Sequence, residues 1–140
     1  MYNLSLLGRD GEVQNCHGLN WGQNSGNHTT SDDACLVIRA DAIRNDPHLF
    51  PPVGHIKEVK AIWDDGVQMT MLLEGTQNIN GLVYPKQMSV KNSKKSLGEY
   101  IKNRMGIPLG QPIWEADLTR YGRTFIGVTH INGVYNFNFS

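Results

Sequence analysis

Short apolar and β-branched runs, each closed off by turn formers, restrict the fold of this chain more than any other feature. Residues 2–7, 34–39, 55–63, 67–73, 108–114, 124–130 and 134–139 read as strands. Two of the turns carry their own mechanism. Asp64-Asp65-Gly66 separates two such runs, and Asn132-Gly133 is the commonest two-residue hairpin connection, because both residues tolerate the positive φ that turn requires. The last two runs are therefore expected to pair as a hairpin.

Helical signals are fewer. Ser96 with Glu99 three residues on makes a capping box, each side chain able to satisfy a free backbone N–H, so a helix is expected to start there. Leu97, Tyr100, Ile101 and Met105 then share one face, and Gly106 suits the position just past the end. Residues 115–121 predict a second helix ended by Gly122, and 40–45 a third ahead of the proline-rich turn at 47–52. Many strands and a few short helices imply a mainly β barrel or sandwich. At 140 residues the chain is long enough to bury a core as one domain. No apolar run approaches membrane-span length and the N-terminus lacks a secretory pattern, so an intracellular protein is expected.

Two stretches follow neither period: 18–33, rich in Asn, Gly, Ser and Thr, and 74–95, rich in Asn, Gln and Lys. Polar loops this long in a compact domain are uncommon unless they serve a function. Net charge is zero, which argues against a protein that coats nucleic acid indiscriminately, yet the charge is unevenly spread. From Lys86 to Arg104 six basic residues face one acid, Glu99, and the rest of the chain carries the compensating negative charge. That asymmetry suits contact with a polyanion through one face; a solvated helix with its preceding loop explains it equally well.

Cys16 and Cys35 lie far apart and form no CxxC pair, so free thiols are expected. A zinc site would have to recruit His17 and His28 to them, at a spacing that fits no usual structural site, and no metal or other cofactor is expected. The enzyme readings are thin. His55-Ile56-Lys57 has the HxK core of phospholipase D-type nucleases, but the Asp that should follow is replaced by Ile62, and alternation along a strand explains the spacing without catalysis. Glu58-Val59-Lys60 has the spacing of a metal-dependent nuclease pair without an acid clearly placed to join it. No catalytic residue is assigned.

Binding asks less of the sequence. Asn and Gln can bond adenine bidentately in the major groove and Lys or Arg suits guanine, with neighbouring cations on phosphates. The first polar stretch offers Asn20, Gln23, Asn24, Asn27 and His28; the second offers Gln77, Asn78, Lys86, Gln87, Lys91 and Asn92. Amides also favour turns for purely local reasons. Trp21 reads as an anchor for the base of the first loop, and Trp63 and Trp114 as core residues.

The opening Leu7-Gly8-Arg9-Asp10-Gly11, the block LNWGQ from Leu19 to Gln23, the Asp64-Asp65-Gly66 hairpin, LGEYIKNRMG from Leu97 to Gly106, LTRYGRT from Leu118 to Thr124 and the ending YNFNFS occur here in one register. In that order they resemble the C-terminal DNA-recognition domain of NgoFVII-type restriction endonucleases, bacterial relatives of the plant B-three DNA-binding pseudobarrel. The resemblance covers nearly the whole chain. It implies a seven-stranded open pseudobarrel and a non-catalytic domain that reads duplex DNA in the major groove with two loop arms. The N-arm would span about 18–33 and the C-arm about 74–95. It also implies a nuclease domain elsewhere in the full protein, a bacterial cytoplasmic setting, and a monomeric isolated domain. Phe139-Ser140 would be the natural C-terminal end. Arg9, Lys94 and Lys95 are then candidate phosphate contacts. Where the family commonly continues LNWGQ with Arg-containing sequence, this chain has Asn24-Ser25-Gly26-Asn27-His28, and its second arm is longer and more basic, so no recognition sequence is carried over. The alternatives are a module that binds a partner protein through the same loops, or a small nuclease.

Overall fold

Turn residues set the strand boundaries in the computed structural model, which describes residues 1–23 and 30–140. Strands β1 (Tyr2–Ser5), β2 (Leu36–Val37), β3 (Glu58–Trp63), β4 (Gln68–Glu74), β5 (Gln77–Ile79), β6 (Leu82–Tyr84), β7 (Gln87–Val90), β8 (Phe125–Ile131) and β9 (Val134–Asn138) are joined by helices α1 (Ala40–Asn45), α2 (Lys94–Met105) and α3 (Glu115–Tyr121). Seven of the strands make one curled, open half-barrel in the order β1-β8-β9-β3-β4-β7-β2, and β5 pairs with β6 in a separate hairpin. β3 and β9 run parallel, Lys60 opposite Val134 and Trp63 opposite Phe137. The expected hairpins are present. Asn132 and Gly133 have φ of 53° and 79°, and Gly66 closes the β3–β4 turn at φ 90°.

Alternation along each strand sends one set of side chains into the curl. Val59, Ala61 and Trp63 from β3, Met71 from β4, Met88 and Val90 from β7, Ile126 and Val128 from β8, and Tyr135 and Phe137 from β9 are all buried. Ile43, Leu97, Ile101 and Leu118 from the helices join the same core. The YNFNFS ending follows this rule: Tyr135, Phe137 and Phe139 point inward, and the Tyr135 hydroxyl donates to the Leu49 carbonyl.

Four expectations need correction. Residues 108–114 form no strand, because the Ile113 N–H and C=O are taken by the side chain of Asn20 instead of a ladder. Trp114, at the end of that segment, is 43% exposed and does not belong to the core. His55 and Lys57 precede β3 in an exposed irregular segment, so strand alternation does not account for their spacing. Helix α2 begins before Ser96: Ser93 occupies the N-cap position without a side-chain cap bond, and the Ser96 hydroxyl donates to Ser93 Oγ. The helix is drawn back to Lys94 by tertiary contacts of that residue, including the Ala34 N–H on its carbonyl. Its end at Gly106, φ 74°, is as expected.

Candidate nucleic-acid interface

The LNWGQ block forms a neck. Residues Gly18–Gln23 make a short 3-10 segment in which every side chain has a local task. Asn20 is 1% exposed; its Nδ2 donates to the carbonyls of Gln14 (3.0 Å) and Ile113 (2.7 Å), and its Oδ1 accepts the Ile113 N–H at 2.7 Å. A Cβ on Gly22 would lie 2.5–2.7 Å from backbone atoms of Thr30, Ser31 and Asp33, so only glycine lets the two sides of the loop close. Gln23 Nε2 donates to the Ser31 carbonyl. Trp21 lies under Lys94, whose Nζ is 5.0 Å from the ring centroid. Asn20 is therefore a buried clasp with no edge to offer a base, a correction to its reading as a base contact. Asn24, Asn27 and His28 lie outside the described residues.

The second polar stretch is mostly regular structure. Glu74 to Lys95 contains β5, β6, β7 and the start of α2, with Asn80 and Gly81 (φ 53° and 83°) turning the β5–β6 hairpin. Gln77 Nε2 donates to the carbonyls of Ile38 and Pro85, both at 2.8 Å, which ties the hairpin root to β2. Asn78 is exposed on the hairpin.

Much of the basic excess is spent inside the domain. Lys102 is 1% exposed and bonded to Asp32, Arg104 clamps Asp64, Lys94 reaches Glu74 at 2.9 Å and Lys91 meets Glu58. Lys86 and Lys95 alone of the six form no salt bridge among the described residues, although the Lys95 charge also helps to hold the Asp32 carboxyl down. The pKa shifts follow these pairs. Burial works to raise the Asp32 carboxyl, but bonds from Lys102 Nζ and the Gly110 N–H outweigh it and hold it below the ordinary value. Glu74 behaves likewise, with Ser89, Lys94 and Gln87 overcoming its burial. Hydrogen bonds from Arg104 bring Asp64 down to about 2.

Lys86 lies at an open groove. The groove is lined by Arg9, Asp10, Gln14 and His17 from the loop after β1, by Val37 and Arg39 around the end of β2, and by Gln77, Lys86 and Gln87 of the second polar stretch. Arg39 is half-buried, one guanidinium nitrogen donating to the Leu7 carbonyl. Arg9, His17 and Lys86 are exposed. Gly75, at φ 72°, lets Lys86 pass close: a Cβ there would lie 3.1 Å from the Lys86 Cβ. Three permanent cations and several amides thus converge on one concavity with one acid, Asp10.

The structure brings Arg9, Gln77, Lys86 and Gln87 together at this groove and does not bring Lys91, Asn92 or Lys95 to it. Lys91 and Asn92 line a different concavity with Glu58, Gln68 and Thr70. Lys91 follows Gln87 by four positions, about 13 Å along the strand at its usual rise. Arg39, His17 and Gln14 were missed by sequence reasoning. Arg39 had a weak signal, a cation closing an apolar run; the other two sit in a segment without periodicity.

An open half-barrel with a cation-lined groove beside two anchored polar elements has the construction of a module that receives a polyanion. The chain belongs to the family of NgoFVII C-terminal B3-like DNA-binding domains, whose model matches residues 1–132. It is a DNA-binding domain by that membership. A search of curated proteins gives no match.

Proposed function

We propose that this domain binds duplex DNA sequence-specifically, as the target-recognition part of a bacterial, cytoplasmic restriction endonuclease whose nuclease domain lies elsewhere in the full protein. The groove that gathers Arg9, Arg39 and Lys86 beside Gln77 and Gln87 is the observation that carries this reading. Cations and amides at one concavity supply both of the contact types duplex recognition needs, phosphate positioning and base-edge hydrogen bonding. The N-arm rises from the neck at Gly18–Gln23, and the C-arm is built on the β5–β6 hairpin and the Lys86-Gln87 segment. Gln77, Lys86 and Gln87 of the C-arm line the groove, and a major-groove edge entering it would meet them together with Arg9 and Arg39. The domain contributes no catalytic group, and on its own it is a monomer.

Selection of a randomised duplex library on the purified chain, at near-physiological salt with competitor DNA, tests this. Enrichment of one short motif is expected. Binding without any enriched motif would leave only phosphate affinity, and absence of binding would move the function to a partner protein.

A further inference from the structure

Resting on that reading, we propose that Gln87 is a base reader whose amide is held in one polarity by Glu74 and Cys35, and that it is set to recognise adenine. The three residues come from separate elements. Glu74 ends β4 directly opposite Gln87 on β7, and Cys35 immediately precedes β2, which pairs with the same strand. Gln87 Nε2 donates to Glu74 Oε1 at 3.2 Å, and Cys35 Sγ donates to Gln87 Oε1 at 3.5 Å.

Side-chain chemistry, independent of the assigned orientation, dictates which end of the amide points where. Glu74 also accepts Ser89 Oγ at 2.5 Å and Lys94 Nζ at 2.9 Å, which keep it ionised and therefore acceptor-only. It can take an N–H from Gln87 and would repel the carbonyl oxygen. Cys35 is 2% exposed, and burial pushes its thiol up to about 12, so it stays protonated and keeps a proton to give. A flipped amide would set oxygen against carboxylate and leave the thiol without this acceptor. Both neighbours favour the same polarity.

Among the described residues these bonds use one of the two Nε2 protons and one of the two Oε1 acceptor sites. The second proton and the second lone pair remain on a side chain that lines the groove. A donor and an acceptor offered together by one planar amide match adenine, which presents N7 to the donor and its N6 amino group to the acceptor. Guanine offers two acceptors at the same edge and leaves the Gln oxygen opposed. Glu74 is a positioning residue here, since it acts on the base through Gln87.

The test uses the intact chain and the motif obtained by library selection. At one A·T pair of that motif, replacing adenine by 7-deazaadenine removes N7 alone; binding by the unmodified protein is expected to fall about tenfold, the loss of one half of a bidentate contact. Gln87→Ala is expected to show no further loss on the same probe and to relax selection at that position only. Glu74→Gln, which can donate as well as accept, is expected to lower discrimination at that pair while affinity for unrelated duplex does not fall. If 7-deazaadenine is tolerated at every position of the motif, or Gln87→Ala enriches the unchanged motif, Gln87 does not read adenine although the domain still reads DNA. A chain that enriches no motif removes the recognition reading itself, and this inference with it.

Discussion

Gly98 of α2 meets the backbone of Asp32 so closely that a Cβ on Gly98 would stand 1.8 Å from the Asp32 carbonyl oxygen. That contact seats the helix against the segment that returns from the first arm. One turn further along the helix, Lys102 reaches the Asp32 carboxylate. Gly98→Ala is therefore expected to destabilise the domain by at least the ~1–3 kcal/mol of an overpacked core site, read as a lowered denaturation midpoint. A midpoint unchanged from the parent would mean that the helix can move away without loss.

Asn20 makes three hydrogen bonds inside the protein. Asn20→Ala leaves the Ile113 N–H and two carbonyls without their partner, and each buried orphan costs roughly 1–3 kcal/mol. The expected signature is a lower melting temperature, with sequence preference unchanged at temperatures where the variant is folded. A shifted DNA motif in a fully stable variant would restore Asn20 as a base contact.

Salt dependence separates the groove from the rest of the surface. If about four to six phosphates are neutralised, log K is expected to fall against log salt with a slope of roughly −4 to −5. Arg9→Ala, Arg39→Ala and Lys86→Ala should each make the slope shallower by about one. Lys60→Ala and Lys91→Ala should leave it as it is, since both side chains lie away from the groove and Lys91 already faces Glu58. A slope near zero would remove the electrostatic part of the mechanism, and an effect of Lys91 equal to that of Lys86 would move the binding face.

Acid stability should report the Asp64–Arg104 clamp. Arg104 holds the Asp64 carboxyl down to about 2, and the same carboxylate accepts the Phe139 N–H at 2.7 Å. A pKa depressed on folding contributes stability that is fully present above the unfolded value and lost as pH falls through the folded one. The stability difference between the parent and Asp64→Asn should hold steady above roughly pH 5 and shrink between about pH 4 and pH 2. A difference independent of pH over that window would assign the clamp to shape alone.

How much of this was legible in the sequence depended on the range of the interaction. Asp64-Asp65-Gly66, Asn132-Gly133, Gly106 and Gly122 mark their turns and helix ends because positive φ is a local demand, met by the residue itself. Asn80-Gly81 carries the same signal and marks the β5–β6 hairpin, yet the surrounding amides and lysines gave that segment the composition of a loop. The candidate site was harder to read. The run of cations from Lys86 to Arg104 pointed at α2, whereas Asp32, Asp64, Glu58 and Glu74, distant in sequence, take up four of its charges. Arg9 and Lys86 could be singled out individually, but their meeting with Arg39 depends on β2 pairing with β7, a contact that no local pattern records.

The position of β9 between β8 and β3 makes the end of the chain the joint of the sheet. Gln87 is the last groove residue in chain order, yet β3 has no partner on one side until Val134–Asn138 is in place. Without Val134–Asn138 the sheet falls into two parts, β1-β8 with the loop that carries Arg9 and β3-β4-β7-β2 with Arg39 and Lys86 at its edge, so the last strand is what holds the two walls of the groove to one another.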